Sequence, residues 1–148
     1  MKNRSCTTKF LAVLALVISS HAAVAQNMSD QDINLMTAAT KGVNVYKKSG
    51  VGGLFAEVSQ CYARLKGAAQ PTKVEFCIAM DMSGVFIDDG AARANGFPRD
   101  KRFMDAEASG RMHTALMQSG ISKSVADTQN YLGARANKIQ RFTNLASQ

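Results

Sequence analysis

Leu54, Val58, Cys61 and Leu65 recur at intervals of three and four, the spacing of one face of an amphipathic helix, and they predict a helix from about Gly53 to Lys66. The residues from Gly67 to Pro71 break the pattern. Thr72 and Glu75 match a capping box with Pro71 just ahead of it, so a second helix opens there and can run to Asn95-Gly96, where Phe97-Pro98 marks the stop. Phe76, Ile78, Ala79, Met80, Met82, Val85, Phe86 and Ile87 make this helix apolar almost all round, which predicts the central position in a bundle.

Upstream, Ser29 with Asp30 and Asp32 suits a helix start, and Ile33, Met36, Thr40 and Val43 keep helical spacing up to the stop Lys47-Lys48-Ser49-Gly50. Gly50 to Gly53 reads as a joint between helices. No strand precedes it and no Lys-Ser/Thr follows, so a phosphate loop is not indicated. A helix from about Lys101 to Ser119 turns Ala108, Met112, Ala115 and Leu116 inward and ends at Gly120. Ser122 or Ser124 opens a last one, with Val125, Thr128, Leu132, Ile139 and Phe142 as its inner stripe. Strand-like alternation and hairpin dipeptides are lacking, so the expected fold is all-α, a compact bundle of about five helices.

The first residues change the reading of location. Lys2, Arg4 and Lys9 precede an apolar run from Phe10 to Ile18, and Ala23-Val24-Ala25 supplies a small-residue cleavage pattern. Residues 1–25 are therefore expected to be a cleaved secretory signal peptide, with Gln26 first in the mature chain and 26–148 a single helical domain. Cys6 precedes the apolar run, whereas a lipoprotein cysteine stands at the cleavage point, and no segment is long enough to span a membrane. The expected location is periplasmic or secreted. Removing the leader lowers the formal charge from +7 to about +4, a mild excess that suits solubility or weakly acidic partners. Basic runs, aromatic-basic interleaving and zinc spacing are all lacking, which argues against nucleic acid.

An exported chain would retain two cysteines, Cys61 and Cys77, with one intramolecular pairing open to them. Both sit near the facing ends of consecutive helices, so they are level across a helical hairpin. The expected disulfide staples that hairpin and stabilises the fold by about 3 kcal/mol on the chain-entropy account. A metal or redox role would need closer spacing or further ligands.

Carboxylates are the remaining candidate chemistry. At about 100° per residue, Cys77, Asp81, Gly84 and Asp88 fall within one narrow stripe of the central helix. Glu57 stands at the height of Asp81 but on the opposite flank of the hairpin seam, so the two diverge. A candidate buried polar seam of Asp81, Asp88, Glu57, Arg111 and Arg135 follows, with Arg111 or Arg135 expected to satisfy Asp81. Gly84 in the same stripe would let another helix approach closely. Asp88-Asp89-Gly90 lacks the spacing of a calcium loop. The single mature histidine, His113, lies beside the Met112 and Leu116 stripe as a boundary residue, and no serine sits in a nucleophile motif. Met80 and Met82 point to different faces, and Met112 and Met117 are five apart, so the methionines read as core filling instead of copper ligands. No catalytic residue, metal or cofactor is expected.

Cys77, Asp81 and Gly84, spaced C-x3-D-x2-G, resemble the Cys-and-Gly helix of periplasmic immunity proteins of the Tai kind, over some thirty residues. Their spacing differs and they usually hold further cysteines, so no functional residue is carried over. The expected function is a small exported, non-enzymatic binding or interaction protein whose partner is another envelope or exported protein. The alternatives are a stress chaperone, an immunity or inhibitor-type protein, and, further off, a hydrolase using Asp81, Asp88 and His113. The oligomeric state is left open.

Overall fold

A computed structural model describes residues 28–65 and 70–148; the expected signal peptide, with its expected cleavage point, lies outside the described residues. All regular structure among them is helical: α1 Asp30–Ala63, α2 Pro71–Asn95, a 3-10 turn Lys101–Phe103, α3 Asp105–Gln118 and α4 Val125–Ser147. None of these helices is long and apolar enough to cross a membrane.

Four helical elements stand where about five helices are expected, because α1 holds two helices that meet at the glycine joint. It does not run straight. Gly50 has φ 63° and ψ −169°, and Lys41 reaches across to pair with Glu57. Sixteen residues of straight helix would separate those two by roughly 24 Å, so α1 folds back at Gly50 into two arms, residues 30–49 and 51–63. Gly53 belongs to the same turn: a Cβ there would lie 2.2 Å from the Cβ of Ser49.

α2 packs against every other helix. Its residues from Val74 to Gly84 are buried with the single exception of Phe76, as a helix apolar all round requires. The first arm of α1 and α4 run parallel to α2, joined to it by Gln31 and Arg135 at Glu75 and by Gly42 and Thr143 at Ser83. The second arm of α1 and α3 run antiparallel to it. The disulfide Cys61–Cys77 ties that second arm to α2, with Cα atoms 5.6 Å apart.

Four sequence expectations are corrected. The inner face of the first arm is Leu35, Ala38, Ala39, Gly42 and Val43, whereas Ile33 is 45% exposed and Met36 and Thr40 face solvent. Small residues take the inside because the arm lies so close to α2 that a Cβ on Gly42 would touch Ser83 at 3.4 Å. The Thr72–Glu75 capping box does not form. Pro71 occupies the first turn of α2, Gln70 is an N-cap without a side-chain bond, and Glu75 turns inward to other partners. The helix expected from Lys101 starts as a 3-10 turn, after which extended Met104 separates it from α3. Val125, expected inside, is 60% exposed in the first turn of α4.

The helix stops follow expectation. Gly96 and Gly120 adopt φ 68° and 72°, the left-handed conformation that ends helices, and the amides of Ile121 and Ser122 fold back onto the Leu116 carbonyl.

Candidate functional site

The stripe Cys77, Asp81, Gly84, Asp88 faces the second arm of α1, α3 and the segment 96–104, and each of its four residues meets a different neighbour. Cys77 meets Cys61. Asp81 is fully buried and lies opposite Arg111 of α3, whose Nη2 donates to Oδ1 at 2.7 Å and whose Nε donates to Oδ2 at 3.2 Å. Tyr62 donates its hydroxyl to Oδ2 at 3.1 Å. Gly84 receives the ring of Phe103, which would lie 2.3 Å from any Cβ there, so the close neighbour is a side chain of the 3-10 turn and not another helix. Asp88 accepts the amide of Asp100 on both oxygens, at 3.2 and 3.1 Å, with the Arg99 guanidinium 3.5 Å away.

Burial raises the pKa of Asp81 above the ordinary carboxylate value, and the bonds from Arg111 and Tyr62 act against that shift without cancelling it. The Tyr62 phenol is raised well above its usual value, first by burial and then by the Asp81 charge. Arg111 also lies over the rings of Phe55 at 5.2 Å and Phe103 at 5.8 Å.

Of the other expected seam residues, Glu57 pairs with Lys41, and Arg135 pairs with Glu75 at 2.7 Å instead of with Asp81. The importance of Glu75 was missed in the sequence. This buried carboxylate accepts from Gln31 at 2.7 Å, Asn34 at 3.4 Å, Tyr131 at 3.4 Å and Arg135, and so joins α1, α2 and α4. Its charge amid apolar residues was the available signal, but the capping-box match diverted it.

His113 sits between α3 and α4, with Nδ1 2.8 Å from the Thr128 hydroxyl. Ser122 spends its proton on the Ser124 carbonyl at 2.8 Å, so its 2.9 Å contact with Thr128 requires the Thr128 proton. Thr128 then has none for His113, and Nδ1 must be the donor, leaving Nε2 unprotonated in the neutral ring. Asp81, Asp88 and His113 share no partner, and seven residues of α2 hold the two aspartates roughly 10 Å apart.

Between the second arm of α1, the start of α2 and α3 lies an open cleft of about 590 Å³, within the range of ligand pockets. Ala106, Gly110 and Thr114, one helical turn apart, form a wall of small side chains; Leu65 and Val74 line the opposite side, and Tyr62 and Arg111 are also exposed to it. Asp81 is not reached from it. No protein family, curated protein or solved structure matches the chain.

Among the described residues no three metal-ligating side chains converge. The cleft presents apolar surface, the hydroxyls of Ser59, Thr114 and Ser119, the Gln118 amide and the Glu107 carboxylate, with the Arg111 cation already opposed by buried Asp81.

Proposed function

We propose that the protein is a small exported, non-enzymatic binding protein that grips another envelope or exported protein in the cleft between α1, α2 and α3. The observation that carries this reading is Arg111. Asp81 behind it locks one edge of the guanidinium, the rings of Phe55 and Phe103 lie against it, and it takes part in lining a cleft of about 590 Å³. Such pre-organisation lowers the entropy cost of binding. Export is supported by the leader-like residues 1–25 and is compatible with the disulfide.

The stress-chaperone reading would call for a contiguous exposed apolar surface. The most exposed large apolar side chains, Phe97, Val125 and Leu145, lie on the 96–104 segment and at opposite ends of α4, a helix about 34 Å long. An inhibitor or immunity role is a special case of the interaction proposed here.

A photo-reactive phenylalanine at Gly110, where an added Cβ meets nothing within 4 Å, tests the proposal against the same group at exposed Gln140 on α4. One discrete protein adduct from position 110, lost on competition with unlabelled wild type but not with Gly110→Trp, is expected. Equal adducts from both positions, or none, overturns the proposal. In the same cells the mature mass should begin at Gln26.

A further inference from the structure

A second cavity, of about 290 Å³, lies on the other side of the α1 end from the cleft, with the disulfide and Phe76 in its wall. Among the described residues, three cationic side chains, Lys41, Arg64 and Lys73, line it against one carboxylate, Glu57, an excess of two positive charges. Lys41 is matched by Glu57. Arg64 donates only to the neutral Gln60, at 3.2 Å, and among the described residues neither Arg64 nor Lys73 meets a carboxylate.

Burial orders the cavity from mouth to floor. Arg64 and Lys73 are exposed, three residues after Cys61 and four before Cys77, so they stand on the two rims of the disulfide-tied hairpin. Leu65, Phe76 and Cys61 are half-buried, and Cys77 is 2% exposed. The mouth is therefore cationic and the floor is apolar.

We propose that this cavity binds a small amphipathic dianion, of which a phosphate monoester with an aromatic or aliphatic stem is the simplest form. Two unmatched cations at the rim call for a doubly charged head, and guanidinium and ammonium groups both bind phosphate through charge-assisted hydrogen bonds. The stem lies on Leu65, Phe76 and the cystine. At about 30 Å³ per water molecule, the volume corresponds to roughly ten waters, enough for a phosphate and a single ring.

Phenyl phosphate is the probe, with inorganic phosphate and benzyl alcohol supplying head and ring separately. The purified protein with its disulfide intact is titrated at low salt and followed through the amide resonances of Cys61, Leu65, Phe76 and Cys77. Saturable shifts with phenyl phosphate are expected, at least about tenfold tighter than with either half-probe and weakened by molar salt. Arg64→Gln with Lys73→Gln should lower the affinity at least about tenfold, whereas Lys73→Arg should retain it. Occupancy should also slow reduction of Cys61–Cys77 by dithiothreitol, whose thiolate must reach the cystine, and Gly110→Trp in the cleft, whose described lining shares only Leu65 with this cavity, should change none of this. The proposal is overturned by benzyl alcohol binding as well as phenyl phosphate, by undiminished binding in the double Gln variant, or by the lack of a saturable shift at these amides. Both substituted residues are exposed, and should the double variant misfold, Lys73→Gln alone carries the test: weakened binding supports the proposal and unchanged binding overturns it.

Discussion

Arg111 shows how one side chain can join several elements of the fold. It closes the charge of Asp81 on α2, lies over Phe55 of α1 and Phe103 of the 3-10 turn, and is itself on α3. Removing one member of such a pair leaves the other charge buried without a partner, which costs more than the pair itself contributes. Arg111→Leu is expected to lower stability by roughly 3 kcal/mol in urea unfolding. In a Tyr62→Phe background, where no hydroxyl loses its acceptor, adding Asp81→Leu should recover most of that loss. The pairing was half legible in the sequence: a carboxylate in an apolar helix calls for an arginine, and Arg111 and Arg135 were the two candidates. Which of them serves Asp81 depended on where α3 and α4 pack. Arg135 stacks on Tyr131 at 3.6 Å, beside Glu75, on a different side of α2.

At the scale of the element, glycines decide more than apolar stripes do. α1 reverses at Gly50, and the tightness of the turn falls on Gly53, whose added Cβ would collide with Ser49, while Gly52 faces open space. Gly53→Ala should therefore destabilise, by about 1–3 kcal/mol as overpacking does, and Gly52→Ala should be neutral or slightly stabilising. Gly84→Ala should act like Gly53→Ala, because the Phe103 ring is itself fully buried and cannot move aside. Thermal melts of the three variants check the order. The joint at Gly50 to Gly53 was legible as a break in helical periodicity. That the two arms fold back on each other was not, since it rests on Lys41 reaching Glu57 and on both arms finding α2. The inner face of the first arm was misread for a related reason: Ala38, Ala39 and Gly42 have too little side chain to make a strong stripe, yet small size is what close packing selects.

For the molecule as a whole, the buried phenols set the response to alkali. Burial pushes Tyr131 up to about 12 and raises Tyr62 well above 10.0. A phenol whose folded pKa is raised contributes stability that is complete below its unfolded value of 10.0 and is lost as pH rises towards the folded value. The protein should lose stability between pH 10 and about 12, measured by urea unfolding at each pH, and Tyr62→Phe with Tyr131→Phe should flatten that loss. In acid, two effects oppose each other. Arg102 holds Asp100 at about 2, so its contribution is present above 3.8 and disappears as pH falls through about 2. Asp81 is raised, so its charge costs stability above its folded pKa, and protonation relieves that cost as pH falls towards 3.8.

By itself the sequence determined the helical class, the helix breaks, the pairing of Cys61 with Cys77 and the stripe from Cys77 to Asp88, because each depends on residues close together along the chain or on a choice with one outcome. Tertiary structure alone decided the fold-back of α1, the partners of Asp81, Asp88 and Glu75, and the two cavities flanking the end of the second arm of α1. Those depend on how helices far apart in sequence approach, and periodicity within one helix says which face is buried but not which neighbour covers it.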